Sequence, residues 1–155
     1  MKGTITPQQA LIKAANYCAY QERCHIEVEG KLAEWGIYGT EAGAIIAKLI
    51  QDGYINEERF AKAYAGGKFR VKQWGRVKIK LGLKAKKISE YCIREAIKEI
   101  GEDDYLHTLE SLANSKLASV KGPSKPTRHQ KVAVYLQGKG YETDLIWKVI
   151  KKLEE

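Results

Sequence analysis

The 155-residue sequence predicts an all-α protein made of three tandem three-helix repeats, about nine helices in all. Three observations carry that expectation. The chain matches itself at offsets of 51 and 53 residues, its apolar residues recur with a helical period, and it holds only three prolines. Residues 31–50 (KLAEWGIYGTEAGAIIAKLI) lie over 82–100 (GLKAKKISEYCIREAIKEI), which lie over 135–153 (YLQGKGYETDLIWKVIKKL). Leu32, Leu83 and Leu136 then correspond, as do Ile37, Ile88 and Tyr141. Further along, Ala42, Ile93 and Ile146 match, then Ile45, Ala96 and Val149, and finally Leu49, Ile100 and Leu153. A period of this length marks stacked supersecondary units, expected here at 1–54, 55–101 and 102–155.

Each element carries its own signals. Thr6, Pro7 and Gln9 form a capping box around a helix start, and Ala10, Ile12 or Lys13, Ala14 and Tyr17 follow at helical spacing. The second helix of each unit holds an apolar pair four residues apart: Val28 and Leu32, Ile79 and Leu83, Val132 and Leu136. Each such helix ends at a tight turn before Ile37, Ile88 or Tyr141. Thr40, Ser89 and Thr143 are the candidate caps of the helices that follow. In QDGYI, Gly53 supplies the left-handed residue that closes the first unit. Asn56 caps the next helix, with Glu57 and Glu58 where the helix dipole favours acids. The third unit opens with Leu106, Leu109, Leu112 and Leu117. KGPSKPT (121–127) follows as the clearest loop and the expected hinge, and Thr127 caps the helix after it.

One stretch reads two ways. Val77, Ile79, Leu81 and Leu83 alternate as a strand would, yet Ile79 and Leu83 fall on the helical pairs of the other two copies. A strand would need pairing partners that the chain does not offer, so the expectation is a helix.

Composition narrows the function. No apolar run approaches the roughly 20 residues that span a bilayer. MKGTITPQQ has no hydrophobic signal core, so a cytoplasmic protein without membrane contact is expected. Cys18, Cys24 and Cys92 are odd in number, lack CxxC spacing and fit reduced thiols. Cys24 and His25 are adjacent, but no second pair completes a metal site, and no cofactor is expected. AGGKF and QGKGY fail as phosphate loops, there is no HExxH, and His25, His107 and His129 are dispersed. The chain is expected not to be an enzyme.

Charge is the feature left. Of a formal +8, residues 62–87 contribute ten Lys or Arg and no acid, between acidic flanks. Lys68, Arg70, Lys72, Arg76, Lys78, Lys80, Lys84, Lys86 and Lys87 are the candidate phosphate contacts, with Lys125, Arg128 and Lys131 adding to them from the third unit. Arg76, Lys80, Lys84 and Lys87 are expected to share an outward stripe. Trp74 and Phe69 lie among them and have faces on which bases stack, although packing is the commoner role for such aromatics. A solvated face is the competing reading of the run.

Residues 49–97 resemble the RecX family of bacterial recombination regulators. The central signature appears as Leu49, Gly53, Tyr54, Ile55, Asn56, Glu57, Phe60 and Ala61. The following basic segment matches at Lys78, Ile79, Leu83, Lys86 or Lys87, and Ile88. The family's opening is echoed by Arg23, Glu27, Val28, Lys31 and Leu32. Likeness is strongest at 49–97 and weakest at 102–130. The resemblance implies an elongated, curved array of three-helix repeats. It also implies binding to RecA assembled on single-stranded DNA and inhibition of filament growth, ATP hydrolysis and strand exchange; a monomer is expected. Direct contact with the DNA stays open. The alternative is a helical protein that binds DNA alone.

Overall fold

Nine α-helices and no strand make up residues 5–155, the part of the chain that the computed structural model describes. They are α1 (Pro7–Tyr20), α2 (His25–Glu34), α3 (Gly39–Gln51), α4 (Glu57–Lys72), α5 (Arg76–Ala85), α6 (Glu90–Lys98), α7 (Glu102–Ser119), α8 (Lys125–Lys139) and α9 (Thr143–Leu153). Helices α1 to α3 pack on one another, as do α4 to α6 and α7 to α9.

The internal repeat is a repeat of burial. All fifteen matched apolar positions are buried except Leu153, which is partly so. Val28, Ile79 and Val132 are fully enclosed beside Leu32, Leu83 and Leu136. The backbone repeats too. Gly36, Lys87 and Gly140, related by the same offsets, all take left-handed conformations after α2, α5 and α8. The next residue in each case donates its N–H back into the helix: Ile37 to Leu32 O (2.9 Å), Ile88 to Leu83 O (3.1 Å) and Tyr141 to Leu136 O (3.2 Å). This is one helix ending used three times, a Schellman turn that satisfies carbonyls the helix leaves unpaired.

Several expected caps hold. Thr6 accepts the Gln9 N–H at 3.1 Å and the Gln9 side chain returns the bond at 2.9 Å. Asn56 accepts the Arg59 N–H at 2.8 Å, and Ser89 accepts that of Cys92 at 3.3 Å. Others shift. Tyr38 and Glu142 occupy the cap positions of α3 and α9, which places Thr40 and Thr143 inside the first turn. Ser124, not Thr127, caps α8, since Pro126 is tolerated in a first turn where its missing N–H costs nothing. The inner face of α1 is Ala10, Ala14 and Cys18, while Ile12 is 59% exposed. Small residues four apart let α1 lie close to its neighbours.

The segment expected as a hinge lies within one repeat. Residues 120–124 join α7 to α8 within the third repeat, residues 125–127 already form the first turn of α8, and Arg128 and Lys131 hold the carbonyls of Gly122 (3.0 Å) and Lys121 (2.7 Å). The joints between repeats lie elsewhere and differ. The second and third repeats share one continuous core, whereas the first has its own. Gly75 donates to Lys139 O (2.8 Å) and Val77 to Gly140 O (2.9 Å), so the backbones of two repeats bond directly. The first repeat meets the second through side chains: Arg59 with Glu22 (2.6 Å), Lys86 with Glu27 (3.2 Å), and Cys24 and Ile26 packed on the larger core. Exposed area totals 9502 Å², against about 7,900 Å² for a compact monomer of this mass, as expected of a row of units.

Candidate partner-binding surface

The ten basic residues of 62–87 divide into three groups. Lys62, Arg76 and Lys86 are paired with carboxylates of the same chain. Lys62 reaches Glu58 (3.1 Å) and Glu99 (3.3 Å). Arg76 does not join the outward stripe expected of it. On the helical wheel it falls beside Leu83, at the edge of the inner arc, and its side chain is only 18% exposed. Its Nε meets Glu142 Oε2 at 2.7 Å, its Nη1 meets Glu102 Oε2 at 3.0 Å, and its guanidinium stacks 3.9 Å over the Tyr105 ring. Tyr105 OH accepts the Arg76 N–H at 2.9 Å and donates to Glu142. Desolvation disfavours the Arg76 charge, yet Glu142, Tyr105 and Glu102 outweigh it and hold its pKa above the ordinary value. Burial, then the bond to Glu142, pushes the Tyr105 phenol up strongly. Arg76 is therefore a bolt between the second and third repeats.

Lys86 has the same kind of task at the other joint. Burial on its own would raise the Glu27 carboxyl. The Cys24 N–H (3.0 Å) and the Lys86 ammonium outweigh that effect and hold it below its usual range. Cys24 itself is buried, which raises its thiol pKa and leaves it a packing residue.

Lys68 and Lys78 form the second group, with their ammonium groups 5.0 and 4.5 Å from the Trp74 ring. Trp74 also packs on the core, and Phe69 is buried against Tyr105 with ring centroids 5.9 Å apart. Neither ring is presented as a bare stacking face.

The third group faces solvent. Arg70, Lys72, Lys80 and Lys87 are exposed and make no ion pair among the described residues. Lys84 is exposed too, with Glu90 at 3.9 Å, a separation at which a surface pair contributes little. Lys87 stands out by its backbone. It adopts φ +59 where the equivalent positions of the other repeats are Gly36 and Gly140. A side chain in that conformation costs about 1–2 kcal/mol.

Lys125, Arg128 and Lys131 belong to the third repeat. They lie in the first half of α8, whose far end, about 20 Å from Lys125 at 1.5 Å per residue, carries Lys139. Lys139 was not among the expected contacts, yet it is the α8 residue that meets the basic run, donating to Lys72 O at 2.8 Å. Its place at the end of the third repeat's second helix, just before the shared turn, was the available signal. Among the described residues there is no group of three or more His, Cys, Asp or Glu suited to a metal and no helix long and apolar enough to cross a membrane.

Residues 56–97 match the second three-helix domain of RecX, and residues 102–150 match its third. The chain is 26% identical over 148 residues to the regulatory protein RecX of Bacillus mycoides and 28% identical to that of Bacillus cytotoxicus, covering 96% of this chain and 55% of each relative. It thus spans about half the length of those curated relatives. The crystal structure of RecX from Lactobacillus salivarius superposes with a TM-score of 0.85 at 27% identity, covering 96% of both chains.

Proposed function

The chain belongs to the RecX family, and from that premise we propose that it regulates RecA without catalysis, binding as a monomer to RecA filaments on single-stranded DNA and inhibiting their extension, ATPase and strand exchange. The observation that carries this reading is the division of labour within 62–87. Arg76 and Lys86 hold the repeats in line, and that leaves Arg70, Lys72, Lys80, Lys84 and Lys87 as exposed cations of the second repeat, which is itself locked to the third. Cations held at fixed spacing suit a repeating polyanionic filament. The reading in which DNA alone is the partner draws less support, because Trp74 packs on the core with two lysines at its ring and Phe69 is buried.

The test is a triple reversal, Arg70→Glu, Lys72→Glu and Lys80→Glu, which spares both bolts. Inhibition of RecA's DNA-dependent ATPase should weaken at least about tenfold, on the scale of losing several rim and core charges, while the helical circular dichroism and melting temperature hold. Undiminished inhibition by the folded variant contradicts the assignment of this surface.

Lys87 supplies a second prediction. Lys87→Gly should raise stability by about 0.5–1 kcal/mol, since glycine relieves the left-handed strain at some entropic cost. The same variant should inhibit RecA less well, because a strained lysine that the two sister turns do without fits a residue retained for contact. Thermal melting and the ATPase assay read the two effects separately.

A further inference from the structure

The alternation of Val77, Ile79, Leu81 and Leu83, now placed on a helix, leaves half of its apolar residues outside the core. Ile79 and Leu83 are fully buried, whereas Val77 is 44% and Leu81 62% exposed. At 100° per residue Leu81 projects about 180° from the midpoint of the buried pair, with Val77 one turn before it on the same outward stripe. Lys80 and Lys84 flank that stripe on one side and Lys78 on the other, and α5 carries no acidic residue. An apolar pair within a ring of lysines is thus held out to solvent.

We propose that this face of α5 docks an acidic, amphipathic protein surface, whose apolar anchor seats on Val77 and Leu81 and whose carboxylates meet Lys80 and Lys84. The inference rests on the RecA reading and adds to it that α5 touches protein rather than nucleic acid. A phosphate backbone rewards the lysines alone. It gives nothing for desolvating a valine and a leucine, which a protein partner covers with its own side chains. An apolar centre with a charged rim is the anatomy of a protein interface. The face of one ten-residue helix is smaller than the roughly 800 Å² that a stable partner covers, so α5 is the anchor of a footprint that extends onto neighbouring elements. Gly82, on the same helix, has Tyr64 where its Cβ would be, which keeps α5 close on α4 and leaves the opposite face free.

The experiment compares the full chain with Val77→Ser/Leu81→Ser and with Lys80→Glu/Lys84→Glu. Each is titrated against RecA assembled on oligo(dT) and against oligo(dT) alone. The serine variant should bind the filament at least about tenfold more weakly, as loss of a central anchor does, with unchanged affinity for oligo(dT). The glutamate variant should lose filament binding as well. If the serine variant binds the filament as the wild type does, and only the glutamate variant fails, α5 faces phosphate and the inference is overturned. If the wild type itself does not bind the filament, the RecA reading falls and takes the inference with it. All four positions are solvent-facing, so folding of the variants, checked by circular dichroism, is expected to survive.

Discussion

Gly140→Ala is expected to destabilise the second and third repeats by about 3 kcal/mol or more, the largest effect of a single methyl group added at any glycine among the described residues. Two costs combine. Gly140 sits at φ +100, where a side chain stores about 1–3 kcal/mol of strain. An added Cβ would also lie 2.3 Å from Lys78 Cβ and 2.7 Å from Lys78 N, and backbone cannot swing aside as a side-chain tip can. Gly75→Ala meets the same barrier from the other side, its Cβ 2.3 Å from the Gly140 carbonyl. Relief in either case requires parting the two backbones and losing the bonds from Gly75 to Lys139 and from Val77 to Gly140. For a chain of this size the loss corresponds to a fall of roughly 10 °C in melting temperature. Gly30→Ala is the control. It adds a Cβ into open space on helix α2, and should stabilise by about 0.5–1 kcal/mol.

Arg76→Ala should cost about 2–3 kcal/mol, with thermal melting as the readout. The guanidinium joins Glu142, Glu102 and the Tyr105 ring at a largely covered joint, and removing it leaves Glu142 beside a buried phenol with no counter-charge. The upper end of what a buried pair costs does not apply, because Glu102 is well exposed. Arg76→Lys should recover little. Two carboxylates are met from different nitrogens of one planar fork, a geometry that a single ammonium cannot reproduce. A double-mutant cycle with Glu142→Gln should return a coupling of at least about 1 kcal/mol. Additive effects would show that the bolt is not one interaction.

Much of this architecture was legible in the residues. Thr6, Asn56 and Ser89 cap as their neighbours suggest, and the aligned pairs from Val28 to Leu136 mark the buried face of three helices without reference to any structure. The strand-like alternation at 77–83 yielded to the comparison of copies. What the residues hid is direction. Arg76 and Lys86 look like their basic neighbours because their partners are remote: Glu102, Glu142 and Glu27 lie 26, 66 and 59 positions away. Nothing local distinguishes a lysine held in a joint from one facing water. The close approach of Gly75 to Gly140 is hidden for the same reason, as is the exposure of Val77 and Leu81, which a periodicity count assigns equally to a core. The stretch 121–127, of which residues 125–127 open α8, misled differently. Its composition correctly marked a connection but carried no information on which connection joins two repeats.

The central claim, that the exposed cations of 62–87 serve an assembled RecA filament rather than free DNA, is met most directly by one measurement. Binding of the wild-type chain to RecA on oligo(dT) and to oligo(dT) alone is compared across a salt series. The account predicts much tighter binding to the filament at every salt concentration, and weak binding to free oligo(dT) that disappears steeply as salt rises. Equal affinity for the two, with the same salt slope, would contradict it.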